Sequence, residues 1–228
     1  MPSRELSAVL FDLDGTLIDS APDLLAALDR ARARLGLPGG DHEALRHHAS
    51  RGAAGILAAG LADRSDLDME HIKRQFLDDY AAELWCRTRP FSGIERLLAM
   101  LAEAGRPMGI VTNKISRFAD PVLEHAGWNG RFGCLVTGDR VARPKPDPEA
   151  VWLACRTLDV DPGQVLFVGD DRRDIEAGLA AGTMTAVAGW GYIDPRENPR
   201  DWGADMLVWS PEELWAALHL EGETQWEG

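Results

Sequence analysis

Short, continuous apolar runs that each stop abruptly at polar residues constrain this chain most. Ala8-Val9-Leu10-Phe11 ends at Asp12, and Met108–Val111, Cys134–Val136, Val165–Val168 and Thr185–Ala188 repeat the form, with a weaker run at Met206–Trp209. Runs of this kind read as strands buried on both faces, because a half-solvated strand would alternate. Helical patterns lie between them. Ile94, Leu97, Leu98 and Leu101 form one stripe that stops near Gly105. Asp147-Pro148 reads as an N-cap followed by proline at the first helical position, ahead of a stripe through Val151, Ala154, Cys155 and Leu158. Ser210-Pro211-Glu212-Glu213 repeats the cap signal, with Glu213 placed for a capping box. Strands alternating with helices predict an α/β fold built on a doubly wound parallel sheet.

One stretch breaks the alternation. From Ala21 to Pro90 the helical patterns (Leu24, Leu28, Ala31, Leu35, then Ile72, Phe76, Tyr80, Leu84) have no convincing strand among them. A segment of that length inside a compact domain is usually structured or functional. It is therefore expected to be a helical cap, 21–90, inserted into a core made of 1–20 and 91–228. The 228 residues suit such a domain with an insert, and the 45% hydrophobic content is ordinary for a globular core.

Charge narrows the partners. With 37 acidic and 24 basic residues the net charge is −13, which disfavours nucleic acid, since phosphate backbones need concentrated Lys and Arg. An anionic small molecule would need a local positive site and a metal cation to bind against this field. Cys86, Cys134 and Cys155 are widely spaced and form no CxxC pair, so disulfide and zinc readings are weak. Without a leader-like N-terminal segment or an apolar run near the roughly 20 residues of a membrane helix, a cytoplasmic protein with no membrane partner is expected, as monomer or homodimer.

Four polar clusters follow the predicted strands: Asp12 and Asp14, Thr112-Asn113, Lys145, and Gly169-Asp170-Asp171. Ligands of open parallel sheets bind beyond the carboxyl ends of the strands, so these clusters can converge although about 160 residues separate the first from the last. Asp12 can act as a carboxylate nucleophile towards phosphorus, and Asp14 can protonate a leaving oxygen and then activate water. Close carboxylates at Asp12, Asp14 and Asp170, with Asp171 or Asp174 as further candidates, call for a hard, oxygen-liganded ion such as Mg²⁺. The Lys145 ammonium would offset phosphoryl charge, and Thr112 and Asn113 can orient the phosphate. Taken singly, each cluster also has a structural reading: Asp12–Thr16 and Gly169–Asp171 as turn and cap, Thr112-Asn113 as a loop, Lys145 as an exposed lysine.

Phe-Asp-Leu-Asp-Gly-Thr, Val-Thr-Asn-Lys, Lys-Pro-Asp-Pro and Val-Gly-Asp-Asp-Arg-Arg-Asp resemble, in order, the four motifs of haloacid-dehalogenase-superfamily hydrolases, across about the whole chain. The resemblance implies a Rossmann-like core with a helical cap between the first and second motifs. It also implies Asp12 as nucleophile, Asp14 as general acid/base, Thr112 and Lys145 as phosphate ligands, and Mg²⁺ held by Asp12, the Asp14 main-chain carbonyl and Asp170. Dehalogenases of the family need neither the acid nor the metal, so Asp14 and Asp170 point to phosphate esters. Receiver domains share an Asp, Thr and Lys but are about half as long and lack an insert of this kind.

Within the family the chain looks phosphoglycolate-phosphatase-like. Val111–Lys114 with Arg117–Ala119, then Gly191-Tyr192-Ile193, Asn198-Pro199 and Trp202–Asp205, resemble the N-acetylmuramic acid 6-phosphate phosphatase branch of cell-wall recycling. The last three equally read as a structural tail. The resemblance implies a small phosphorylated sugar as substrate, with 2-phosphoglycolate as the alternative; a phosphomutase and a non-catalytic phosphate sensor are weaker readings. Arg51, in the polar stretch His47–Gly52 before an apolar Ala53–Leu61 helix, reads as a solvated helix-end charge or as a contact to substrate carboxylate or phosphate. Adjacent His47 and His48 would point about 100° apart on a helix and make a poor metal pair.

Overall fold

A computed structural model describes residues 6–62, 64 and 67–223, with side chains to residue 218. Six parallel strands form one sheet in the order β5-β4-β1-β6-β7-β8. They are β1 (Ala8–Phe11), β4 (Met108–Val111), β5 (Cys134–Val136), β6 (Val165–Gly169), β7 (Met184–Ala188) and β8 (Met206–Val208). Every apolar run of the sequence is thus a strand, and β1 and β6 are buried along their whole length. The chain winds from β1 to β4 and β5 on one side, then returns to β6 on the other. That reversal beside β1 is the switch point at which open α/β sheets bind ligands.

Helices cover both faces. One face packs Leu97, Leu101, Val122 and Leu214 from α5 (Ile94–Glu103), α6 (Ser116–His125) and α9 (Pro211–Glu223) against Val9, Phe11 and Ile110. The other packs Val151, Ala154 and Ala177 from α7 (Glu149–Leu158) and α8 (Arg172–Ala181) against Leu10 and Phe167. Two cap signals shift by about one position. Helix α7 starts at Glu149 with Pro148 as its cap residue, while the Asp147 carboxylate accepts from the Glu149 N–H. At α9, Ser210 Oγ accepts from the Glu213 N–H, but the Glu213 carboxylate reaches back to the Trp209 N–H instead of closing a box on Ser210.

Between β1 and β4 lie the helices α1 (Ala21–Arg34), α2 (His42–Leu45), α3 (Gly52–Gly60) and α4 (Met69–Ala82). They gather an apolar cluster of their own, with Leu24, Leu28, Ile56, Phe76 and Tyr80 buried, to which the core contributes Phe118 and Tyr192. Each such large side chain contributes about 1.5–3 kcal/mol by leaving water. Two features of this region escape sequence patterning. Its ends are tied by an antiparallel pair, β2 (Ile18–Asp19) with β3 (Arg89–Pro90), too short to carry a hydropathy signal. Asp23, buried on α1, accepts from the Arg87 and Thr88 N–H groups and the Thr88 hydroxyl, which fastens the exit of the insert to its entry. Residues 46–51 form a 3₁₀ turn, and there His47 and His48 bring their ring centroids to 4.0 Å rather than diverging. No helix among the described residues is long and apolar enough to cross a membrane.

Candidate active site

Asp12 leaves β1 where the strand's backbone is still paired: its N–H donates to Val168 O at 2.9 Å. Its carboxylate is buried, and Lys145 Nζ lies 2.8 Å from Oδ1. The contact is an ion pair without hydrogen-bond direction, because Oδ1 has no well-aligned donor. Lys145 is equally buried and also meets Asp174 Oδ1 at 2.6 Å and Val111 O at 2.8 Å. Burial alone would lower its pKa; the charges of Asp12 and Asp174 outweigh that and hold it above the ordinary lysine value.

Asp170 follows β6 with 1% of its surface exposed. Oδ1 accepts from Thr16 Oγ1 at 2.8 Å and Oδ2 from the Tyr192 N–H at 2.9 Å. Gly15 makes this approach possible: its φ is +93°, and a Cβ there would meet Asp170 Oδ2 at 2.0 Å. Asp174 sits one turn into α8, where Oδ2 accepts from the Asp171 N–H at 3.0 Å and Oδ1 faces Lys145. Asp171 is the N-cap and turns away to Arg173, so of the two residues the sequence leaves open, Asp174 faces the site. Burial first, then the neighbouring negative charges, push Asp170 well above the usual carboxylate range. Burial likewise raises Asp174, against the opposing pull of Lys145.

Carboxylate oxygens of Asp12, Asp170 and Asp174 lie within 4.8 Å of one another. Three buried acids that offer only oxygen donors, two of them raised by burial, fit a hard divalent cation. Asp14, expected as a metal ligand through its main-chain carbonyl, has no carboxylate oxygen in this cluster. The Asp14 carboxylate belongs to a different network: Lys114 Nζ reaches its two oxygens at 2.9 and 3.2 Å, and Ser20 Oγ donates to Oδ1. Lys114 also donates to Tyr80 OH at 2.9 Å, joining the acid to α4.

Thr112 is buried at the end of β4, its Oγ1 accepting from the Lys114 N–H at 3.1 Å. Asn113 lines the cavity, yet both ends of its amide are committed to the main chain of Lys145, donating to its carbonyl and accepting from its N–H, each at 2.9 Å. These contacts hold the Lys145 loop in place and leave the second Nδ2 N–H of this cavity-lining residue uncommitted. Arg51 is half exposed, lines the cavity and stands 3.8 Å from Glu197. The cavity measures about 400 Å³ and runs from Asp12, Asp14, Thr112 and Lys145 to Leu24, Ala53 and Leu77 of the insert.

Sequence reasoning missed Lys114, Tyr80, Arg173 and Tyr192 as site residues. Arg173 Nη2 donates to Ser50 O at 2.9 Å, bridging core and insert while it pairs with Asp171. The Gly191-Tyr192-Ile193 segment is more than a tail: besides supporting Asp170, the Tyr192 hydroxyl donates to Asp19 Oδ1 at 2.8 Å and accepts from the Ala21 N–H at 2.9 Å. Lys114, Arg173 and Tyr192 each lie inside a motif quoted above, so position offered a signal without a role, while Tyr80 read only as a helix-stripe residue.

Parallel strands that deliver an Asp, a Thr, a Lys and an acidic cluster to one carboxyl-terminal edge are the arrangement expected of a hydrolase of the haloacid dehalogenase type. Residues 9–188 match the haloacid dehalogenase-like hydrolase family, and the chain belongs to it. Among its relatives is the N-acetylmuramic acid 6-phosphate phosphatase of Pseudomonas aeruginosa, 46% identical over 94% of this chain and 95% of that protein. The phosphoglycolate phosphatase of Xanthomonas campestris pv. campestris is 41% identical over 91% and 94%. Among solved structures, a predicted phosphoglycolate phosphatase from Haemophilus somnus superposes with a TM-score of 0.84 at 25% identity, covering 93% of this chain and 97% of that one.

Proposed function

We propose that this chain is a Mg²⁺-dependent phosphomonoesterase that passes the phosphoryl group of a small sugar phosphate through Asp12, with N-acetylmuramic acid 6-phosphate as the best-supported substrate. The observation that supports the chemistry is the convergence of Asp12, Thr112 and Lys145 on one cavity at the edge of the sheet, with Asp170 joining Asp12 in the buried carboxylate cluster. The substrate rests on the 46% identical relative and on a cavity of about 400 Å³, roomy for a hexose and loose for a two-carbon acid. The 2-phosphoglycolate reading rests on the 41% identical relative.

In this reading the segment 21–90 is a cap over a core of 1–20 and 91–228. An Asp12 carboxylate oxygen attacks phosphorus, the bond from phosphorus to the sugar oxygen breaks, and Asp14 delivers a proton to that oxygen. Asp14 then takes a proton from water as the water attacks phosphorus, which releases phosphate and restores Asp12. Lys114 and Ser20 hold the Asp14 carboxyl at the cavity floor. Thr112 and Lys145 bind phosphoryl oxygens, with Lys145 paired to Asp12. Bound between Asp12, Asp170 and Asp174, with the Asp14 carbonyl as a further ligand, Mg²⁺ supplies positive charge for the phosphoryl oxygens. Arg51 serves the leaving group at the cap side. The setting is the cytoplasm.

Asp12→Asn should lower Mg²⁺-dependent phosphate release by about three orders of magnitude or more while the thermal unfolding profile stays cooperative. Full activity in that variant would sink the mechanism. Parallel kcat/KM values on N-acetylmuramic acid 6-phosphate and 2-phosphoglycolate test the substrate, and a preference for the latter would overturn that choice.

A further inference from the structure

Five cations line the cavity: Arg51, Lys73, Lys114, Lys145 and Arg173. Four already face carboxylates, Arg51 only loosely, at 3.8 Å. Arg51 faces Glu197, Lys114 faces Asp14, Lys145 faces Asp12 and Asp174, and Arg173 faces Asp171. Lys73 alone of the five has neither an ion pair nor a hydrogen bond among the described residues. In a chain with 13 more acidic than basic charges, a cavity-lining ammonium left without a carboxylate is available for an anion from outside.

Its position fixes which anion it can reach. Lys73, Leu77 and Tyr80 occupy one face of α4 at i, i+4 and i+7, and all three line the cavity. Tyr80 marks the reacting end, since its hydroxyl takes a hydrogen bond from the same Lys114 ammonium that holds Asp14. Seven residues along a helix rise about 10 Å, so the Lys73 backbone stands roughly that far along α4 from Tyr80. The wall between is apolar, formed by Leu24, Leu77 and Phe118. A carboxylate one carbon from the ester oxygen lies only about 4–5 Å from phosphorus and falls short of this span. A carboxylate on the far side of a phosphorylated hexose lies about 9–10 Å away and fits it.

We propose that Lys73 is a specificity-determining residue that pairs with a carboxylate on the far side of a hexose phosphate and so gauges the length of the leaving group. Methyl-bearing substituents of the sugar rest on the apolar wall between Tyr80 and Lys73. The assignment rests on the phosphatase reading above and deepens it.

The test compares wild type, Lys73→Met and Lys73→Arg on three esters with Mg²⁺ present. These are N-acetylmuramic acid 6-phosphate, N-acetylglucosamine 6-phosphate, which lacks the acidic ether, and 2-phosphoglycolate. Lys73→Met should raise KM for the first about tenfold with kcat within about twofold, and leave kcat/KM for the other two unchanged. Lys73→Arg should restore most of the loss. An unaltered ratio between the two sugars, an equal drop on all three esters, or a wild type indifferent to the acidic ether would each overturn the assignment. Wild type that hydrolyses p-nitrophenyl phosphate but neither sugar would remove the substrate reading itself, and the assignment with it.

Discussion

Gly191 offers a sharp test of how the metal cluster is supported. A Cβ at this position would lie 2.2 Å from Asp170 Cβ, 2.4 Å from Gly15 O and 2.7 Å from Asp170 Cγ, where ordinary contacts begin at 3.4 Å. Alanine could escape only by displacing Asp170 or the Gly15 turn by about 1 Å. Glycine's φ here lies outside the left-handed region, so backbone strain plays no part. Gly→Ala stiffens the unfolded chain and would by itself stabilise by about 0.4–1 kcal/mol. Overpacking against backbone and a buried carboxylate costs about 1–3 kcal/mol, so the clash wins. The net cost centres on about 1.3 kcal/mol, and at about 2–4 °C per kcal/mol for a chain of this size Gly191→Ala should melt about 3–5 °C lower. Coordination distances tolerate only about 0.2 Å, and disturbed support of a ligand costs about 10–100-fold in metal affinity. The Mg²⁺ concentration for half-maximal activity should therefore rise at least about tenfold. Calorimetry and a Mg²⁺ titration measure the two effects. A variant with unchanged melting temperature and unchanged Mg²⁺ dependence would refute the proposed role of this contact.

Two further outcomes follow from the same geometry. Asp170 and Asp174 are raised by burial, Asp174 to about 7, so the metal-free folded protein holds protons that the unfolded chain gives up near pH 4. Stability in EDTA should thus fall as pH rises from about 4 to 7, and Asp174→Asn should flatten that slope; a melting temperature that climbs through the window would contradict it. Asp171, held at about 2 by Arg173 against burial, has finished titrating below this window. Tyr192→Phe strands the Ala21 N–H and removes the hydroxyl bond to Asp19, which should cost about 1–3 kcal/mol in urea unfolding; unchanged stability would discount Tyr192 as a tie between core and insert.

The strands of the sheet, the helices α5, α7 and α9 packed on it and the acidic, Thr and Lys clusters beyond the strands were readable along the chain, whereas α6 was not. Those signals are local: an apolar run bounded by a turn, a stripe of period 3.6, an Asp two residues from another. Pairing is not local, and tertiary structure alone decided it. Asp174 rather than Asp171 entered the carboxylate cluster because the N-cap residue turns outward while the third residue of α8 turns back towards β1. Asn113 also turned out to hold the Lys145 loop, about 30 residues on, through both ends of its amide, a pairing that no local pattern announces. Lys114, Tyr80 and Asp14 meet from three elements, and Lys73 stands out only once its four cationic neighbours have found their carboxylates. Residue type and spacing therefore fix which chemistry the strand ends can carry. Which side chains remain free to meet a substrate depends on a packing that brings distant charges within 3 Å.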